Sequence, residues 1–291
     1  MQRRQIIKLL SILPLTGVAM KLSHLENITK TFDSTETMPV LFVGHGSPMN
    51  AIENNEFTKA WQVMAKSLPK PNAIVCISAH WETKGTFVTA MQKPQTIHDF
   101  GGFPKALFDV EYPAPGNPQL AMETKKLITK SDVGMDEKWG LDHGAWSVIK
   151  VMYPDADIPV IQLSLDYNLK PQFHYDLAKE LAPLRKKGVL ILGSGNMVHN
   201  LGKLDWNRPE GRFDWAQTAN EKFKKLILDN DHSSLINYRN LGREVELAVP
   251  SPEHYLPLLY SLAPKTQHEE VVFFNDKYVM GSLSMTSVKI G

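Results

Sequence analysis

The chain has 291 residues, 43% of them hydrophobic, enough to bury a sizeable core in one α/β domain or two small ones. With 32 Lys and Arg against 31 Asp and Glu the formal charge is +1, which argues against nucleic acid or an anionic membrane surface and for a small substrate of low charge. One cysteine, Cys76, excludes an internal disulfide framework and a cysteine-built zinc site. It lies in the apolar run 73–77 and reads as a small buried hydrophobe.

The amino terminus is a different kind of sequence. Met1-Gln-Arg-Arg-Gln-Ile-Ile-Lys8 places twin arginines before an apolar stretch, residues 9–20, interrupted by Pro14. That pattern resembles a twin-arginine export signal and is too short for an ordinary membrane span. Residues 21–36 are polar and linker-like. Residues 1–37 are therefore expected to be signal and linker, and residues 38–291 the functional domain. The expected location is the periplasm, with the cytoplasm as alternative, and no stable membrane association of the mature domain.

The first element of the domain is an apolar run of branched and aromatic residues, 40–43, which predicts a strand buried on both faces. It ends in Gly44-His-Gly-Ser-Pro48, and the carboxyl end of such a strand is where an open α/β sheet binds ligands. Residues 55–68 carry Phe57, Trp61, Met64 and Leu68 at helical spacing. A second strand, 72–78, repeats the first by ending in Ser78-Ala-His-Trp81. Residues 88–91 predict a short strand, and 96–104 a loop rich in Gly and aromatics with a His-Asp pair, suited to contact a substrate. Helices are expected over 118–129 and 145–152, the latter just after His143, and a strand over 158–164. Beyond it come a helix over 173–185 and the strand-to-loop passage 188–200, which carries His199. Helices over 216–229, 234–240 and 255–262 and strands over 271–274 and 282–288 complete the chain. Strand-helix alternation without internal repeats predicts a three-layer α/β fold, a mostly parallel or mixed central sheet with helices on both faces.

Histidines carry the chemical signal. His45, His80, His199 and His254 stand in turns bounded by small residues or proline, whereas His24, His174, His232 and His268 have polar, surface-like surroundings. Neutral imidazole is a common metal ligand, and ligands dispersed along the chain can gather where strands end. No spacing such as His-Glu-x-x-His reinforces this.

Six motifs taken together resemble a known family: Gly44-His-Gly-Ser-Pro48, Ser78-Ala-His-Trp81, Ile97-His-Asp-Phe-Gly-Gly-Phe-Pro104, Leu141-Asp-His-Gly144, Gly193-Ser-Gly-Asn-Met-Val-His-Asn200 and Pro252-Glu-His-Tyr-Leu-Pro257. In this order they are similar to the class III extradiol ring-cleavage dioxygenases, in particular the 4,5-DOPA dioxygenase extradiol branch. The resemblance runs from about residue 38 to the carboxyl end. It implies one divalent metal ion, Zn2+ or Fe2+, and insertion of both atoms of O2 into a catechol ring with ring opening. Carried over motif by motif, it places His45, His80 and His254 on the metal, with His199 as a fourth ligand or as the acid/base. His143 and His98 are further candidates for proton transfer or substrate contact. The expected partners are a catechol and O2, with no nucleic acid. The motif departs from the protocatechuate branch, whose third ligand is a glutamate, and an all-histidine set suits zinc as well as iron. A zinc hydrolase on the same scaffold is the alternative reading, and a binder without turnover a third.

Overall fold

The apolar run after Pro39 forms the centre of a six-stranded sheet, and the alternation of its side chains divides the core in two. Val40 and Phe42 enter one hydrophobic cluster while Leu41 and Val43 enter the other, as the two-residue period of a strand requires. The structure is a computed structural model that describes residues 37–291. The expected signal and linker, Thr37 excepted, lie outside the described residues.

The strands in chain order are β1 (Val40–Gly44), β2 (Ala73–Ser78), β3 (Glu82–Thr83), β4 (Phe87–Thr89), β5 (Gly134–Asp136) and β6 (Val160–Gln162). They continue with β7 (Leu165–Asp166), β8 (Val189–Gly195), β9 (Val271–Phe274), β10 (Tyr278–Val279), β11 (Leu283–Ser284) and β12 (Ser287–Ile290). The α-helices are α1 (Glu56–Ser67), α2 (Lys105–Phe108), α3 (Pro118–Leu127), α4 (His143–Met152) and α5 (Pro171–Lys179). After them come α6 (Ala182–Arg185), α7 (Asp214–Leu228), α8 (His232–Ile236), α9 (Arg243–Ala248) and α10 (Leu256–Leu262). The main sheet has the order β6-β2-β8-β1-β12-β9. Its first four strands are parallel, and β12 and β9 join antiparallel. The sheet is therefore mixed. Helices α1 and α4 cover one face through Trp61, Ala65, Ala145 and Trp146, while α5, α7 and α10 cover the other through Leu177, Phe223 and Leu259. Three layers result, as expected. Among the described residues no helix is long and apolar enough to cross a membrane.

Several boundaries differ from expectation for physical reasons. The single helix expected over 173–185 is two, because Pro183 has no N–H for a helical bond and its ring crowds the preceding turn. Residues 234–240 divide into α8 and a 3-10 turn (Tyr238–Asn240), where the Asn237 side chain bonds Ser233 O at 2.9 Å and closes the helix. The strand expected over 282–288 splits into β11 and β12. Between them the Thr286 N–H donates to Ser284 Oγ at 3.2 Å, which turns the chain from one pairing to the next.

Candidate metal centre

Parallel strands β1, β2 and β8 all end on one edge of the sheet, and that edge holds the histidines. His45 follows β1 directly, and its N–H donates to Gly195 O at 3.0 Å. His80 stands two residues beyond β2. His254 belongs to a segment before α10 and reaches the same place because β8 ends in glycine: a Cβ at Gly195 would lie 2.2 Å from His254 O. Asn196 N donates to that same carbonyl at 2.9 Å. Gly144 plays the matching part on α4, where a Cβ would lie 2.4 Å from Ser78 Oγ and 2.8 Å from the His80 ring. The ring centroids of His45, His80 and His254 are 5.1, 5.2 and 5.0 Å apart pairwise, and each offers a ligand atom within 4.8 Å of the others.

Hydrogen bonds fix which nitrogen is free in two of the three rings. The Ser194 hydroxyl donates to Gly144 O at 2.6 Å, so it accepts from His45 Nδ1 at 3.0 Å, and His45 Nε2 keeps its lone pair. His254 Nδ1 lies 3.2 Å from the Glu253 carboxylate, which accepts only, so its Nε2 is free as well. His80 Nδ1 is 3.6 Å from Asp99 Oδ2, and its Nε2 stands 3.3 Å from His45 Nε2. A tetrahedral ion with metal–nitrogen bonds of about 2.0–2.1 Å has nitrogen–nitrogen edges of about 3.3 Å, so the donor set fits a small divalent ion.

Burial strengthens the same reading. It pushes the His45 and His254 pKa values well below the ordinary range, with the neighbouring imidazoles adding to the effect. His80 falls to about 4, chiefly by burial and His143, against the pull of Asp142, Asp99 and Glu253. His199 also falls to about 4 by burial, with Glu253 opposing. Neutral rings with lone pairs are what a cation requires.

The structure brings three of the four expected ligands into one group and sets His199 beside it. The His199 ring stacks on His254 with centroids 3.5 Å apart and 7° between planes, and it forms a second possible ligand group with Glu253 and His254. His143 lies against His80 at 3.8 Å and 6.0 Å from His45. His98 is farther out. Its Nε2 meets Val110 O at 3.0 Å, and its ring packs with Phe100, Phe108 and Trp146 in an aromatic wall whose Phe100 touches His143 edge-on at 5.5 Å.

Sequence reasoning left three supporting residues without a role. Asp142 is wholly buried and caps α4, accepting from Ser78 Oγ at 2.6 Å, Ala145 N at 3.0 Å and Gln162 Nε2 at 2.6 Å. It ties the end of β2 to the start of α4. Ser194 and Asp99 orient imidazoles. Asp99 was marked by the His-Asp pair of the 96–104 loop, while Asp142 and Ser194 stood inside family motifs with no role given to them. One reading is corrected: His174 is not a surface residue but fully buried on α5 beside Leu177 and Ala178, with Nδ1 3.0 Å from Tyr260 OH.

Residues 34–258 match the family described as the catalytic LigB subunit of aromatic ring-opening dioxygenase. The chain is 48% identical over 263 residues to the 4,5-DOPA dioxygenase extradiol of Escherichia coli K12, covering 89% of this chain and 96% of that one. It is 36% identical to the 4,5-DOPA dioxygenase extradiol of Beta vulgaris, over 91% of this chain and 97% of the other. A crystal structure of an uncharacterized Escherichia coli K12 protein superposes with a TM-score of 0.77 at 43% identity, covering 87% of this chain and all of that one. The fold, the cluster of imidazoles and these likenesses agree: the chain belongs to the LigB family of aromatic ring-opening dioxygenases.

Proposed function

We propose that this protein is a metal-dependent extradiol dioxygenase that opens the ring of a catechol bearing a DOPA-like side chain, incorporating both atoms of O2. The observation that carries the metal assignment is the convergence of His45, His80 and His254, whose ligand atoms all lie within 4.8 Å of one another, with Nδ1 of His45 and of His254 held by Ser194 and Glu253 so that their Nε2 atoms are free for an ion. The ion, iron(II) in this reading because zinc has no redox chemistry, would supply the electron path between catecholate and dioxygen. The remaining tasks fall to the chain. His199, neutral and stacked beside the three ligands, takes a hydroxyl proton as the substrate binds. His143 orients the second hydroxyl, and Phe100, edge-on to it, gives the aromatic ring an apolar wall. His98, in that wall, takes the substrate's side chain.

Anaerobic loading with Fe(II), followed by oxygen-electrode assays over a panel of catechols, tests the reading. One O2 should be consumed per catechol, with labelled dioxygen entering the product at both atoms. Hydrolytic activity with zinc and no oxygen uptake with iron would replace it by the hydrolase alternative. We assign residues 1–37 to export, which makes the periplasm the place of action. Changing Arg3 and Arg4 together to Lys should then retain the protein in the cytoplasm, and unaltered fractionation would overturn that assignment.

A further inference from the structure

Asp99 stands between two of the site's imidazoles, in a loop held firmly on both sides. Ile97 N donates to Leu141 O at 2.7 Å, Trp146 Nε1 donates to Ile97 O at 2.8 Å, and His98 Nε2 meets Val110 O at 3.0 Å. These contacts deliver residue 99 to the first turn of α4. There Oδ1 accepts the His143 backbone N–H at 2.8 Å, and Oδ2 lies 3.0 Å from His143 Nδ1. The same Oδ2 is 3.6 Å from His80 Nδ1. An ionised carboxylate only accepts, so His143 must carry its ring proton on Nδ1 and keep a lone pair on Nε2. By grasping both the backbone and the ring of one residue, the carboxylate also fixes the rotation of that ring. Its side chain is 18% exposed, so the arrangement is partly shielded from water.

We infer that Asp99 is a positioning residue for the ring-opening reaction, one carboxylate that sets the tautomer of His143 and backs the metal-facing ring of His80. The inference rests on the function proposed above. It changes what His143 can do: with Nε2 unprotonated, that ring accepts a hydrogen bond from a substrate hydroxyl rather than donating one. For His80 the carboxylate, 3.6 Å from Nδ1 and so beyond direct hydrogen-bond reach, acts through its charge, which favours a proton on that far nitrogen and leaves the near one for a metal.

Replacing the carboxylate by an amide separates these effects from mere packing. In Asp99→Asn the Oδ1 can still accept from the His143 N–H, but Nδ2 then faces His143 Nδ1 as a donor and drives the ring proton to Nε2. The test uses zinc-loaded protein with isotope-labelled histidine, in which nitrogen NMR distinguishes the tautomers, with His143 assigned from its own variant. The wild type should show Nδ1–H at His143 and D99N should show Nε2–H. Iron-loaded D99N should lose up to about 10⁴-fold in kcat, the loss seen when the orienting carboxylate of a catalytic histidine becomes an amide. Chelator competition should show metal held about 10–100-fold more weakly. Asp99→Glu, which keeps the carboxylate, should hold Nδ1–H and turn over faster than D99N, and D99A replaces D99N in the comparison if the amide variant does not fold. The assignment is overturned if His143 keeps Nδ1–H in D99N, if kcat is unchanged, or if metal affinity is unchanged. A wild type that consumes no oxygen with any catechol would instead defeat the proposed function, while the tautomer comparison would still decide the role of Asp99.

Discussion

At the amino end of β1 the guanidinium of Arg185, 1% exposed, donates to Met38 O at 2.7 Å and Pro264 O at 2.8 Å and pairs with the Glu269 carboxylate. At the carboxyl end of the same strand His45 begins a cluster of buried imidazoles that burial keeps neutral. One end brings a fixed positive charge into the protein and surrounds it with its own acceptors. The other gathers lone pairs and supplies no cation. A buried guanidinium fully paired by the chain is a structural clamp, closing the first residues of the domain against the segment that follows α10. The rings of His45 and His80, with their Nε2 atoms 3.3 Å apart and burial keeping both neutral, could instead hold an ion from outside. The contrast separates a buried polar cluster that holds the fold from one that is proposed to perform chemistry.

Substitution at the carboxyl end should have the largest effect. His80→Ala removes one of three converging donors and should abolish most metal binding and turnover, with the circular dichroism spectrum unchanged. Full metal content by elemental analysis would remove His80 from the ligand set. His199→Gln should keep shape and some hydrogen bonding while turnover falls about 10²–10⁴-fold, as for a lost general base. If metal falls in step with activity, His199 is a ligand, and the base must be sought at His143.

The amino end should answer in stability instead. Arg185→Ala leaves Glu269, Met38 O and Pro264 O without their shared partner, and breaking a buried pair from one side costs about 3–5 kcal/mol. Chemical denaturation should show that loss while the folded fraction binds metal as before. A change below about 0.5 kcal/mol, the range of ordinary surface substitutions, would mean that the clamp carries no stability.

Much of the carboxyl edge was legible because two signals coincide there. At His45 and His80 an apolar run fixes the strand and a histidine follows its end, so element and site are read from one stretch of sequence. The position of His254 was not legible on the same terms. It depends on Gly195 allowing the His254 carbonyl to approach β8, a contact between residues 59 positions apart that no local pattern encodes. Family likeness named His254, whereas spacing alone could not. For His199 the sequence indicated the neighbourhood but not the ring plane, which the structure shows stacked on His254. Asp99 was visible only as part of a polar pair in a loop, since its role appears once Leu141 and Trp146 anchor that loop to α4. The error at His174 has the opposite origin. Polar neighbours suggested a surface, yet spacing of three and four residues to Leu177 and Ala178 places all three on the buried stripe of α5.

His174 sharpens the comparison with the smallest of the expected effects, because it is a buried imidazole outside the cluster. Burial lowers its pKa to about 4, with backbone groups of Asp166 and Leu169 and the Asp166 charge opposing. The unfolded chain returns it to about 6.5. Between these values the unfolded state binds a proton that the folded state refuses, so the neutral ring's contribution is complete above pH 6.5 and lost as pH falls toward 4. At pH 4.5 the loss is about 2–3 kcal/mol. His174→Gln removes the titration while keeping a polar partner for Tyr260 OH, so the fall in unfolding free energy from pH 7 to 4.5 should shrink by that amount. The sheet-edge cluster is common to both proteins, so that the difference between their pH dependences reports His174 alone. An identical fall in the two proteins would mean that this ring is protonated as readily when folded as when unfolded, and that burial alone does not hold it neutral.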